Sequence, residues 1–354
     1  MNLQRIQVAL AFGPKSRSEF YEILANFIAD GMPAHSAIGE LHRQFAIEKN
    51  PIVHVTEAVM RAMAGQSGKS LTPGQALAPF VPAVEAMAID SGADSGKLAD
   101  GFLMAKRLCE TQAETRAVIA GEVIYPLFLL AMFLGFFIFV GEVMLPVMAD
   151  LVPREKWPPQ AQILGWLGDN SKLIVAVLTA GLLMLTAVYF QTKDNWTGSV
   201  RSFCDKNVFP WNVACSVNSA LLLSAIAIML RAGVPFNGIL DKLGRTSGAW
   251  LNYHFALMRA RMRRGSREGD ALAVDLYDKE TRWQIQLYGK VHNFADGIDR
   301  LSVRVVKRVL ARVKVQFAVI RFGLMVGVAG MIVWVYWAFL GLSLAVRPMG
   351  GPPI

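Results

Sequence analysis

Three stretches of the chain, residues 123–141, 173–191 and 322–346, stay apolar long enough to cross a bilayer, which takes about 20 residues of helix. Between them, apolar and polar positions alternate with helical spacing. Phe20, Ile23, Leu24, Phe27 and Ile28 mark one such helix, and Gly31-Met32-Pro33 ends it. Three further signals predict helix starts. Ser16-Arg17-Ser18-Glu19 has the form of a capping box, and Asn50-Pro51 and Thr72-Pro73 each pair a capping residue with a proline at the first helical position. The pattern predicts an all-α membrane protein with two homologous cytoplasmic helical-bundle domains and three transmembrane helices. A soluble protein with three very apolar core helices is the plainer alternative.

The expected boundaries are a first cytoplasmic helical domain at 1–118, spans at 119–147, 172–191 and 317–346, and a periplasmic loop at 148–171. The second, basic domain takes 192–316, and residues 347–354 form a periplasmic tail.

The two domains read as a repeat. Phe27-Ile28-Ala29-Asp30-Gly31-Met32-Pro33 lines up with Met229-Leu230-Arg231-Ala232-Gly233-Val234-Pro235. Arg61-Ala62-Met63-Ala64-Gly65 then matches Arg261-Met262-Arg263-Arg264-Gly265, and Ala99-Asp100-Gly101 matches Ala295-Asp296-Gly297. The order and near-constant spacing point to duplication.

Charge separates the two halves. Residues 1–118 hold 11 Lys and Arg against 12 Asp and Glu, whereas residues 191–318 hold 20 against 10, so the net +9 of the 354-residue chain resides in the second half. Such a domain at a membrane attracts anionic lipid head groups or an acidic partner. Its densest patch, Arg259, Arg261, Arg263, Arg264 and Arg267, is a candidate docking site. Arg300, Arg304, Lys307, Arg308 and Arg312 form an amphipathic stripe leading into the third span, for which a solvated face plus positive-inside anchoring is the ordinary explanation.

Basic residues flank the inner ends of the spans: Lys106, Arg107 and Arg116; Lys193 and Arg201; and the stripe with Lys314. The loop after the first span carries only Arg154, Lys156 and Lys172, and the tail only Arg347. The N-terminus is therefore expected inside and the C-terminus outside. Met1 to Phe12 has no secretory-signal pattern, and Cys109, Cys204 and Cys215 lack the spacing of a redox or zinc pair.

Catalytic signatures fail individually. Gly65-Gln66-Ser67-Gly68-Lys69-Ser70 lacks the glycine five positions before Gly68, where Met63 stands, and no apolar strand leads into it; a flexible turn is expected. His35, His42, His54, His254 and His292 form no metal motif and read as surface or capping residues. No nucleophile elbow or carboxylate couple stands out. Neither an enzyme nor a cofactor is expected.

Glu142 at the outer end of the first span motivates a small transporter or channel as a rival reading. The basic second domain motivates a membrane-tethered nucleic-acid binder, although no aromatic platform surrounds the arginines.

Two helical domains, each followed by membrane spans and carrying Gly31/Pro33 and Gly233/Pro235, resemble the inner-membrane platform family of type II secretion and type IV pilus systems. Pro79-Phe80-Val81-Pro82, Gly92-Ala93-Asp94-Ser95-Gly96-Lys97-Leu98, Tyr125-Pro126 and Pro146 extend the resemblance along nearly the whole chain. Ala93 stands where that family usually has glutamate, with Asp94 beside it, so an ion site relying on that glutamate is not expected to carry over. The corresponding glycines of the second half are lost around His292 and Phe294, and the last span lacks an opening or closing proline. These departures fit a divergent member from a plasmid-borne or type IVb pilus system.

The resemblance implies location in the bacterial inner membrane, contact with a hexameric cytoplasmic assembly ATPase, and help in lifting pilin or pseudopilin transmembrane helices into a filament. It also implies other inner-membrane assembly proteins and further copies of the chain as partners. Gly135, Gly141, Gly323, Gly327, Gly330 and Gly341 would let helices approach closely, either those of pilin or those of this protein and its own oligomer.

Overall fold

A computed structural model describes residues 11–65, 70–291 and 293–346. The turn expected at Gln66 to Lys69, His292, the tail with Arg347 and most of the N-terminal stretch lie outside the described residues. Among the described residues every regular element is a helix.

The first five helices are α1 (Pro14–Ala29), α2 (Ala34–Ile47), α3 (Val53–Met63), α4 (Pro73–Leu77) and α5 (Ala83–Asp94). α6 (Leu98–Phe139) leads through a π-helical segment, Val140–Met144, into α7 (Leu145–Leu151). α8 (Pro159–Asp169) and α9 (Ser171–Thr192) follow. The second half comprises α10 (Ser199–Asn207), α11 (Trp211–Arg231), α12 (Phe236–Thr246), α13 (Ala249–Arg263), α14 (Glu268–Leu272), α15 (Lys279–Tyr288) and α16 (Phe294–Val346).

Local chemistry explains the punctuation and corrects part of the expectation. Thr72 caps α4 through its side chain, accepting from the Gln75 N–H, with Pro73 at the first position. The capping box at Ser16 is not formed. α1 starts three residues earlier, with Gly13 as its cap and Pro14 supplying a pre-set φ at the first turn. Asn50 also caps differently from the expectation. Its Oδ1 accepts from the Ile52 N–H at 3.1 Å in a tight turn, and the helix begins only at Val53.

The repeat is visible in backbone geometry. Gly31 and Gly233 both adopt positive φ, +90° and +81°, where an L side chain would be strained. The next N–H bonds back in the same way, Met32 to Phe27 O and Val234 to Met229 O, and Pro33 and Pro235 open α2 and α12. Gly65 and Gly265 close α3 and α13 with positive φ in turn. Helices α1 to α6 thus correspond in order to α11 to α16, and α10 has no counterpart among the described residues of the first half.

The helices form two compact units, residues 1–117 with 192–310 and residues 118–191 with 311–354. The bundled helices of both halves of the repeat belong to the first unit, and α6 and α16 run on into the second. Its core gathers Phe20, Tyr21, Leu24, Ile38, Leu77, Ile89 and Phe102, and Ala225, Ile228 and Ala232 of α11 pack against it. Between α12 and α5, Lys242 Nζ lies 2.9 Å from Asp94 Oδ2 and donates to Ser91 Oγ at 3.2 Å.

In the second unit, Val140, Leu145, Met148, Val152, Trp157, Ala161 and Leu164 pack with Met331, Val335 and Ala338. The segment expected as a loop is therefore a small helical structure around Trp157, whose indole N–H donates to Val152 O at 2.8 Å. Arg154 pairs with Asp169, 2.5 Å apart, and its hydrogen bonds hold that carboxyl below the usual range. Gly141 permits the fold here: a Cβ would come within 2.7 Å of the Gly168 carbonyl oxygen and 2.5 Å of Ser171 Oγ. The Leu145 N–H reaches Val140 O, one residue further than an α-helical bond, just before Pro146, which has no N–H to donate.

Candidate interaction surfaces

Among the described residues, four helices are long and apolar enough to cross a membrane, but they differ in what surrounds them. The apolar window of α11 is 72% buried within the protein, against 17%, 0% and 11% for the helices containing α6, α9 and α16. Burial separates a core helix from three helices that present bare apolar surface, such as Leu183 and Met184 on α9 and Phe322 and Val333 on α16. Gly135, Gly323, Gly327 and Gly330 have nothing near the place of a Cβ, whereas Gly141 is used within the chain.

The candidate arginine cluster divides into two groups. Arg261 at the end of α13 turns inward and donates through Nη1 to Asp270 O at 2.9 Å and Ala273 O at 3.0 Å, tying α13 to α14. Arg259 pairs with Asp241 at 3.4 Å across α12 and α13. Arg263, Arg264 and Arg267 are exposed at the turn from α13 to α14. Only these three present their charge freely to a partner. In the basic stripe, Arg308 pairs with Glu280 at 2.8 Å and Arg304 donates to Tyr288 Oη at 2.6 Å, while Arg300 and Lys307 remain exposed.

The residues noted as family motif are architectural. Gly92 lies against α6, where a Cβ would meet Gly101 Cα at 2.5 Å, and Gly96 takes φ +69° in the turn between α5 and α6. Tyr125 carries the Arg321 guanidinium 5.7 Å from its ring centroid, and Pro126 lies inside α6. Glu142, the charge that suggested a transport path, pairs with Lys172 at 2.7 Å.

Two clusters escaped the sequence reading. In the first half, Arg17 grips Glu85 through Nε at 3.0 Å and Nη2 at 3.2 Å, and Tyr21 Oη donates to the same carboxylate at 2.7 Å. Glu85 is wholly buried, which makes this a closed structural lock. Burial, reinforced by the Glu85 charge, raises the Tyr21 hydroxyl well above its usual range and the neighbouring Cys109 thiol to about 11. These groups therefore keep their protons at neutral pH.

In the second half, Arg201 sits between Trp250 and Trp196, 5.3 and 6.0 Å from their ring centroids, and 2.8 Å from Asp205. Burial raises Asp205, although Arg201 opposes the shift. Nothing in the spacing of these residues forecasts the assembly, because they come from the connection after α9, from α10 and from α13. His254, expected at the surface, is instead half-buried beside Trp250 and Tyr253, and desolvation lowers its affinity for a proton.

The family model described as "Type II secretion system (T2SS), protein F" matches this chain twice, over residues 20–146 and 222–341. The two segments begin and end on equivalent parts of the repeat. The chain is also similar to the toxin coregulated pilus biosynthesis protein E of Vibrio cholerae serotype O1, with 24% identity over 332 residues, 93% of this chain and 96% of that protein.

Proposed function

The chain belongs to the type II secretion system protein F family, and from that premise we propose that it is an inner-membrane platform coupling a cytoplasmic assembly ATPase to insertion of pilin or pseudopilin subunits into a filament. The observation that carries this reading is the double match of one family model to the two halves of the repeat. The relative's pilus-biosynthesis name favours a pilus over a secretion machine. The proposed spans are α6, α9 and α16, with the N-terminus in the cytoplasm and the C-terminus in the periplasm. α11, the fourth helix of sufficient length, is assigned to the cytoplasmic core on its burial.

Force generated by the ATPase would enter through the unit that holds both helical halves. Arg263, Arg264 and Arg267 are its proposed contact, because they are charged, adjacent and exposed. Arg261 is left out, since its hydrogen bonds already serve the fold. Pilin helices, further copies of this chain and other assembly proteins of the inner membrane would meet the bare apolar faces of the spans.

The test is the triple variant Arg263→Glu, Arg264→Glu and Arg267→Glu in the host bacterium. The expected outcome is loss of pili and of ATPase co-purification with an unchanged level of membrane-inserted protein. Normal piliation overturns the contact. For the transporter reading, Glu142→Gln serves as discriminator. A platform retains assembly because the Lys172 pair lies outside any required path, whereas a transporter loses activity.

A further inference from the structure

α10 stands just before the second half of the repeat, between α9 and α11. It lies outside both segments matched by the family model and has no counterpart among the described residues of the first half. Its inner side is bound to the end of α9. Arg201 is 2% exposed, and it donates through Nη1 to Thr192 O at 3.2 Å and through Nη2 to Lys193 O at 3.4 Å. The Trp211 indole N–H donates to Thr192 Oγ1 at 3.2 Å, the Trp250 indole N–H to Asp205 Oδ2 at 3.0 Å, and the Trp250 backbone N–H to Asp194 O at 3.0 Å. Trp196 packs edge-on against Trp211. Three tryptophans and one buried arginine thus hold α10 close to residues 192–194.

The other side of α10 is bare. Val200 and Phe203, three residues apart and so on one face, are 63% and 62% exposed. A phenylalanine left in water forgoes most of the free energy its burial would bring, and here the helix that carries it is otherwise firmly bonded. We propose that α10 is an interfacial helix that lies on the membrane where α9 emerges, with Val200 and Phe203 entering the boundary between head groups and acyl chains. Continuity with α9 identifies the occupant as lipid. A surface pinned to the first residues beyond a 22-residue apolar helix stands at head-group depth, the level at which tryptophan is enriched.

The proposal rests on α9 being a span, and the test separates the two claims. In full-length protein carrying Cys109→Ala, Cys204→Ala and Cys215→Ala, single cysteines are introduced as Val200→Cys, Phe203→Cys, Leu183→Cys or Ile47→Cys and labelled with an environment-sensitive fluorophore. The proteins are placed in phosphatidylcholine and phosphatidylglycerol nanodiscs. Nitroxide lipids are then compared with an aqueous nickel quencher.

Labels at 200, 203 and 183 should lose emission to the nitroxide lipid, while the label at 47, on a residue 77% exposed, should lose it only to nickel. If 183 is quenched by lipid but 200 and 203 respond to nickel as 47 does, the interfacial helix is overturned and the span stands. If 183 also responds to nickel, the span reading falls and takes the proposal with it. Quenching of 200 and 203 by neither reagent means protein covers them, which also overturns the proposal.

Discussion

The two halves of the first unit follow one plan with different interiors. Carrying the register of Gly31 and Gly233 back along α1 and α11 places Arg17 opposite Ser219 and Tyr21 opposite Leu223. The register of Gly101 and Gly297 places Glu85 opposite Thr281. The first half therefore closes its core with a buried ion pair and a phenol, and the second with small hydroxyls and leucine, all of them buried. Duplication has kept the backbone turns and relaxed the means of joining the helices. A buried pair must be kept whole or replaced whole, because either partner alone is an uncompensated charge.

The sharpest way to break this comparison is Glu85→Ala, which strands Arg17. A loss of about 3–5 kcal/mol is expected, read as a large drop in the unfolding midpoint of the nanodisc-embedded protein. Transplanting the second half's solution, Arg17→Ser, Tyr21→Leu and Glu85→Thr together, should cost markedly less than the single change. A triple variant no better than Glu85→Ala would mean that the register drawn here is wrong.

A middle-sized effect comes from Arg61 and Arg261, which occupy equivalent helix ends. Arg61 makes an exposed pair with Glu57 one turn away, worth about 0.3–0.5 kcal/mol. Arg261 serves two backbone carbonyls, and charged hydrogen bonds of that kind are worth about 1.5–3 kcal/mol. Arg261→Ala should lower the unfolding midpoint clearly and Arg61→Ala hardly at all.

The smallest effect concerns His54 and His254, which the same register makes equivalent. His54 is exposed, whereas desolvation of His254 depresses its proton affinity in the folded state. Asp275 is the charged group opposing that shift. The stability tied to His254 is therefore fully present above its ordinary value of about 6.5 and declines as pH falls below it, because the unfolded chain then binds the proton more readily. His254→Phe should retain more of its midpoint between pH 7 and pH 5.5 than the parent protein.

Much of this was legible in the residues, where one local rule sufficed. Gly31-Met32-Pro33 and Gly233-Val234-Pro235 announce their turns because positive φ and proline chemistry act within a few residues. Thr72-Pro73 announces its cap for the same reason, while Ser16 to Glu19 misled because Pro14 offered a better start upstream. The basic cluster could be found by composition, but the separation of Arg261 from Arg263, Arg264 and Arg267 could not. Consecutive residues on a helix point in different directions, and only the packed neighbours decide which charge turns inward.

Three apolar stretches stood out along the chain, yet α11 is also long and apolar enough to cross a membrane, since a core helix and a membrane helix can have the same composition. The sequence by itself determined the all-helical class, the duplicated plan and the apolar stretches, because periodicity, turn chemistry and transfer free energy are summed along the chain. The tertiary structure decided which apolar helix is covered by protein, how Glu85 finds Arg17 and Tyr21, and how Arg201 is caught among tryptophans from separate segments. Those outcomes depend on burial and long-range pairing, whose energies exist only once distant residues share a low-dielectric interior.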